Sequence, residues 1–415
     1  MVVRPITKIL IIIGLLITAS MINGCAAPPR FEQRLHDIVK PHVFSIAKWE
    51  FKALFEEVKG IGREKQGTAD GTGTVIEYFN TLKQIKNVRT EIEAITAGNT
   101  TGNTDPLQSE LVKLEERNLS LNSAVEKTLE KHIKDVLSEQ GIYNPAYRLM
   151  KFKTLFPPMN FRLEKPPNLI VVSPRERIES IREITLQQEI DLAIIEDIES
   201  RVDTLNVSSL VVELGGFAGT YPSFVTSDAD LKFTLDTAAE EWLHQYLTFK
   251  PLGFRYLLDI TGIARNYEIA TMNETVASMT GKEISAAVYE KYYASYDSND
   301  SSGKTGETGF NFNLEMREIR RAVEIYLAAG ETAKAERYMT DRRQYLAEHG
   351  YYIRKLNQAY FAFHGTYADR PTSISPIGLE LKELRARSKS TSEFLETAAA
   401  MTSRQDLQEN LRQSP

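Results

Sequence analysis

The sequence predicts an α+β protein that is predominantly helical: long N-terminal helices, a small set of strands, and then further helices. Three observations predict it. Residues from about Phe31 to Gln140 carry apolar residues at heptad-like spacing among many Glu and Lys, as in "LVKLEERNLSLNSAVEKTLEKHIKDVL", a period that suits helices and not strands. The runs "NLIVVSP" (168–174) and "SSLVVELGG" (208–216) are short, apolar and bounded by turn residues, as buried strands are. Beyond "GGFAGTYPSFV" (215–225) the spacing is again mostly helical to about Gly365.

At 415 residues with 42% hydrophobic side chains, the chain can fill two domains, or one domain with a large helical appendage. A formal charge of −6 and a pI near 5.7 leave no general basic footprint, which argues against nucleic acid as a partner.

The first 25 residues read as an export signal: Arg4 and Lys8 precede the apolar run Ile9 to Ala19, and small residues lead to Cys25, the only cysteine. The run is short for a membrane span of about 20 residues. A transmembrane anchor and an ordinary cleaved signal are the alternatives. "MINGC" resembles a bacterial lipobox, with Ile22 and Gly24 in pattern and Asn23 departing from it. That resemblance implies removal of residues 1–24, a lipid on Cys25 as the membrane attachment, and an extracytoplasmic place in the bacterial cell envelope. One cysteine also excludes an intramolecular disulfide, so the fold must rest on its core or on a metal.

Taken in order, residues 25–142 are expected to be helical and partly coiled, punctuated by the turn-forming loops "GTADGTGT" (67–74) and "GNTTGNTDP" (98–106). An α+β domain is expected over 143–387, with the helix "LAIIEDIESRVDTL" between the two strands and later helices over 235–249 and 268–293. The polar stretch "DSNDSSGKTGETG" (297–309) reads as a mobile loop. Residues 388–415 carry few large apolar side chains and read as a polar tail, solvated or disordered. "LAAGETAKAERYM" has the small residues of a helical repeat but no second copy at a fixed period.

The chemistry concentrates in "TAAEEWLHQYL" (237–247). Leu235, Ala238, Ala239, Trp242, Tyr246 and Leu247 fall on one helical face, which places Glu240 and His244 one turn apart, where one cation can touch both. About thirty residues later, "TMNETVASMTGKEISAAVYEKYY" is again helical in its apolar spacing and carries Glu274.

This pairing resembles the gluzincin metallopeptidases, in which H-E-x-x-H is followed by an N-E-x-x-[AS]-type helix whose glutamate completes the metal site. The resemblance spans roughly Ser208 to Pro376, about two fifths of the chain, and extends to exported bacterial proteins with "EWLHxYL", "NET" and "LNQAYFAFHGTYA" segments. It implies Glu240, His244 and Glu274 as ligands of one divalent metal ion, with Zn first and Mn or Fe possible, and Glu241 as general base. It also implies a peptide or protein substrate lying along an edge strand before the helix, with Gly215, Gly216 and Tyr221 as the contacts. His364 is the candidate for stabilising the oxyanion; Tyr360, Tyr367 and Asp369 lie near it in sequence.

Glu240 is the departure, standing where the family has histidine. Carboxylate oxygen binds zinc at about 2.0–2.2 Å, much as imidazole nitrogen does. Two carboxylates and one neutral imidazole cancel a divalent charge, however, so the ion becomes a weaker Lewis acid and oxygen-preferring metals gain ground. A degenerate, non-catalytic relative that binds or scaffolds, and a chance E-E-x-x-H, are the competing readings.

Other motifs fall short. A di-iron bundle needs a second E-x-x-H, and no other histidine has a glutamate three residues before it. "SSGKT" (301–305) lacks the earlier glycine of a phosphate-binding loop, since position 298 is Ser298. No serine lies in a nucleophile-elbow context.

Overall fold

The computed structural model describes residues 30–46, 49, 71–147, 151–296 and 310–413. Cys25, the expected leader and the loop 297–309 lie outside the described residues. No helix among the described residues is long and apolar enough to cross a membrane. The chain divides into two units, 1–41 and 42–415, the first contributing helix α1 (Arg30–Val39).

The second unit begins with a helical hairpin. α2 (Thr72–Thr96) and α3 (Thr104–Glu139) run antiparallel, turned by Gly98 at φ 75° and by Asn103, whose side chain accepts the Asp105 N–H at 3.0 Å. A boundary at residue 142 does not survive, because Val75, Tyr78, Val125, Leu129 and Ile133 share one core with Leu163, Trp242 and Met272. The apolar surface of α3 is wider than a two-helix seam requires. Its buried His132 stacks on Tyr292, ring centroids 3.7 Å apart, and its Nδ1 meets the Tyr293 hydroxyl at 2.9 Å.

Among the described residues, two three-stranded sheets follow. β1 (Phe161–Leu163) belongs to the smaller one. β2 (Asn168–Pro174) is the centre of the larger, antiparallel to β3 (Arg182–Leu186) and to β4 (Val207–Glu213). β2 coincides with the expected run, β4 begins one residue earlier than expected, and α4 (Leu192–Asp203) lies between the strands as its pattern requires. β3 has no counterpart in the sequence reading: "REITL" is a half-exposed edge strand with little apolar content. β5 (Gly216–Phe217) pairs with β6 (Ser223–Val225), which runs parallel to β1.

α5 (Leu231–Leu247) starts earlier than the expected 235, because the Asp230 carboxylate caps it by accepting the Phe233 N–H at 2.8 Å. α6 (Pro251–Ile260) has proline in its first turn, and α7 (Tyr267–Tyr293) is capped by Asn266. α7 is buried on nearly every side. α8 (Phe312–Ala328) and α9 (Thr332–Glu348) form a second hairpin with its own core of Met316, Ile319, Val323 and Met339. α10 (Gln358–Gly365) packs Ala359 against Val171 and Leu210 of the larger sheet.

Residues 388–413 correct the expectation of a polar tail. α11 (Pro376–Arg387) is followed by α12 (Thr391–Ala399) and α13 (Arg404–Gln413), and Phe394, Leu395, Ala398, Ala399 and Leu407 enter the main core. The apolar residues are few but fall at helical spacing. Arg404 adds ion pairs to Glu380 and Glu268 at 2.8 and 3.0 Å.

Candidate metal centre

α5 carries Glu240 and His244 on one face, and α7 crosses it at close range. Gly281 permits the crossing: a Cβ there would lie 3.1 Å from the Glu240 nitrogen and 3.2 Å from its Cα. The approach puts Glu274 opposite His244. One ligand atom from each of Glu240, His244 and Glu274 lies within 4.8 Å of the others, so the group can hold a metal ion. His244 Nε2 and Glu274 Oε2 are 3.5 Å apart. Tetrahedral coordination with bonds of about 2.1 Å gives a ligand–ligand edge of about 3.4 Å. That pair is therefore already spaced for an ion, and Glu240 has the remaining gap to close.

The surroundings orient both ligands. His244 Nδ1 faces Asn273 Oδ1 at 3.2 Å, an arrangement in which Nδ1–H donates and Nε2 is left for the ion. Glu274 accepts the Tyr256 hydroxyl at 2.6 Å and the Tyr367 hydroxyl as well. Tyr367 is delivered by α7 itself: Thr275 Oγ1 donates to the Thr366 carbonyl at 3.2 Å and accepts the Ala368 N–H at 3.0 Å. From below, Gly378 on α11 fixes the same loop, since a Cβ there would lie 2.0 Å from the Ala368 carbonyl oxygen. Gly378→Ala is expected to cost about 1–3 kcal/mol, as overpacking does. A lowered denaturant midpoint with an unchanged m-value checks it; an unchanged midpoint would mean that the loop yields freely.

Glu241, three residues before His244 on α5, is turned toward the strand segment. A Cβ on Gly216 would sit 2.3 Å from Glu241 Oε1, so only glycine lets β5 approach this close. The Ala218 N–H donates to the Glu241 carboxylate, and Gln245 holds the Thr220 carbonyl at 3.0 Å. Gly215 packs on Phe233, and the Tyr221 hydroxyl donates to the Pro158 carbonyl at 3.4 Å. Of the three expected substrate contacts, Gly216 is the one in direct contact with the Glu241 carboxylate.

Three carboxylates around one imidazole repel one another, and burial sharpens the effect. Burial raises the Glu240 carboxyl most, the His244 charge draws it back, and Glu274 adds to the rise, leaving its pKa at about 7. Glu241 reaches about 8, with burial again the leading cause. Burial works against a charged His244, but Glu274, then Glu241 and Glu240, outweigh it and lift the imidazole to about 10. Burial pushes Glu274 up too, yet His244 and the two tyrosine hydroxyls hold it below the usual carboxylate range. A further carboxylate from β3, Glu183, is raised by burial and feels the Glu274 charge.

His364 does not join the group. Its ring packs on Tyr360 and Phe363, and its pKa falls to about 4 through burial and then through Arg370. Tyr367, three residues on, reaches Glu274 in its place. The helix ends at Gly365, and the Thr275 tether on the residues that follow decides between them, which spacing alone does not reveal. Tyr256 and Asn273 are also absent from the sequence reading, although Asn273 is the first letter of the quoted "NET".

No family model matches the chain, and no curated protein and no solved structure matches it either.

Proposed function

We propose that the protein is a metal-dependent peptidase of gluzincin type, held in the bacterial envelope by a lipid on Cys25. The observation that carries the reading is the convergence of Glu240, His244 and Glu274 from two separate helices, with Glu241 beside them. A divalent ion in such a set, zinc or an oxygen-preferring ion such as Mn or Fe, supplies Lewis acidity toward a peptide carbonyl and lowers the pKa of water. Glu241 then takes a proton from the attacking water and passes it to the leaving amine. Tyr367, whose hydroxyl donates to Glu274, would take the oxyanion role expected of His364 by turning that hydroxyl from Glu274 once an ion shares the carboxylate's charge. The 215–225 segment is the edge that would hold an extended substrate strand.

The test is metal content and peptide hydrolysis of the purified protein, with Glu241→Gln beside it. The variant is expected to keep its metal and lose turnover by roughly 10²–10⁴-fold, the usual worth of a general base. A protein that takes up no ion, and whose stability Zn or Mn leaves unchanged, sinks the reading. It would support a non-catalytic envelope lipoprotein instead, which one observation favours: the His244–Glu274 pair, with Tyr256 and Tyr367, already satisfies itself.

A further inference from the structure

A cleft of ≈ 520 Å³ is lined by Tyr267, Thr271, Arg320, His364, Arg370 and Arg404 among others, and by none of the triad; Tyr367 stands between its Arg370 and Glu274. Two of its arginines are spoken for. Arg320 donates to Glu324 at 2.7 Å and to the Phe361 carbonyl at 2.8 Å, and Arg404 holds Glu380 and Glu268. Arg370 has no carboxylate partner among the described residues. Its guanidinium lies over the Tyr367 ring, 4.1 Å from the centroid.

That position is between two environments. Through Tyr367 the guanidinium is one side chain removed from Glu274, and its charge favours ionised Glu240; on the other side it lines the cleft and bears on His364. Stacking on a tyrosine fixes the plane of a guanidinium and leaves its N–H edge open, an arrangement matched to a carboxylate fork. His364, neutral at pH 7, adds no competing charge to the cleft wall.

We propose that Arg370 binds a carboxylate of the substrate across Tyr367 from the triad, so that the protein selects peptides carrying a negative charge. The proposal rests on the peptidase reading. The carboxylate is either a free C-terminus or an acidic side chain, and the two share this chemistry. The contact matters because a bound peptide excludes water from the cleft; an exposed pair in water contributes little.

The experiment measures binding, not turnover, on the metal-loaded protein carrying Glu241→Gln. Three probes are titrated by calorimetry: an acetylated alanine pentapeptide with a free C-terminus, its C-terminal amide, and that amide with one alanine replaced by glutamate. At least one charged peptide is expected to bind on the order of tenfold tighter than the neutral amide, and which one does so identifies the source of the carboxylate. Arg370→Ala should erase the preference and Arg370→Lys restore part of it. If all three peptides bind alike, or the preference survives Arg370→Ala, the proposal falls and the peptidase reading stands. If none binds, both fall.

Discussion

Glu274→Gln is expected to empty the triad of its metal while leaving the fold in place. Glutamine has the size of glutamate and still offers an oxygen to the Tyr256 and Tyr367 hydroxyls, so the packing between α6, α7 and the 366–370 loop persists. What disappears is charge. An ion between Glu240 and His244 alone keeps one anionic ligand and has lost the member at 3.5 Å from His244, the distance already suited to coordination. Loss of a supporting partner outside the ligand set costs about 10–100-fold in affinity; loss of a ligand should exceed that. In the metal-free protein the same change removes the largest of the forces that keep His244 protonated, so the imidazole reverts toward the neutral form that burial favours. Breaking a buried pair costs about 3–5 kcal/mol when the remaining charge is stranded, and shedding the proton limits that loss. Metal analysis of both proteins, with thermal unfolding in chelator, checks the result. Stoichiometric metal in the variant would show that Glu274 is not a ligand and would break the link between α5 and α7 on which the site depends.

What the sequence disclosed about this site follows from how local each feature is. Glu240 and His244 lie one turn apart on a helix whose apolar face is plain, so their proximity needs no knowledge of the tertiary fold. Glu274 was reachable because "NET" sits in a second helix of clear period at a recognisable distance. Tyr256 reaches Glu274 from 18 residues away, and Tyr367 does so from the far side of the sequence, held there by the Thr275–Thr366 tether, whose partners are 91 residues apart. No period or spacing encodes such contacts. The same distinction runs through the fold. β2 is a continuous apolar run and is legible, whereas β3 is a half-exposed edge strand whose partner decides its conformation. The last helices were misread for a related reason: composition averages over the five buried residues that α12 and α13 send into the core, and position along the helix is what matters.

Metal binding is expected to strengthen with pH, and the metal-free protein to lose stability over the same range. Glu240, Glu241 and His244 all have folded-state pKa values above their ordinary ones, at about 7, 8 and 10. The folded metal-free state therefore holds more protons than the unfolded chain, and stability falls as pH rises. For the two glutamates the loss begins above their ordinary value of 4.5 and runs through about 7 and 8; for His244 it begins above 6.5 and is complete past about 10. Glu274, with its pKa lowered, acts in the opposite sense and only in the acid range below 4.5. A divalent ion reverses the balance, since it binds the deprotonated forms and supplies the positive charge that the protons had provided. At pH 7 its entry must expel the His244 proton and part of those shared by Glu240 and Glu241. Calorimetry in buffers of different ionisation enthalpy should register release of about one proton or more per ion, and the Tm difference between metal-loaded and chelated protein should widen from about pH 5 to about pH 9. A gap that stays constant over that range, with no proton released, would mean that the ion does not bind at His244 and that these carboxylates hold their protons for structural reasons alone.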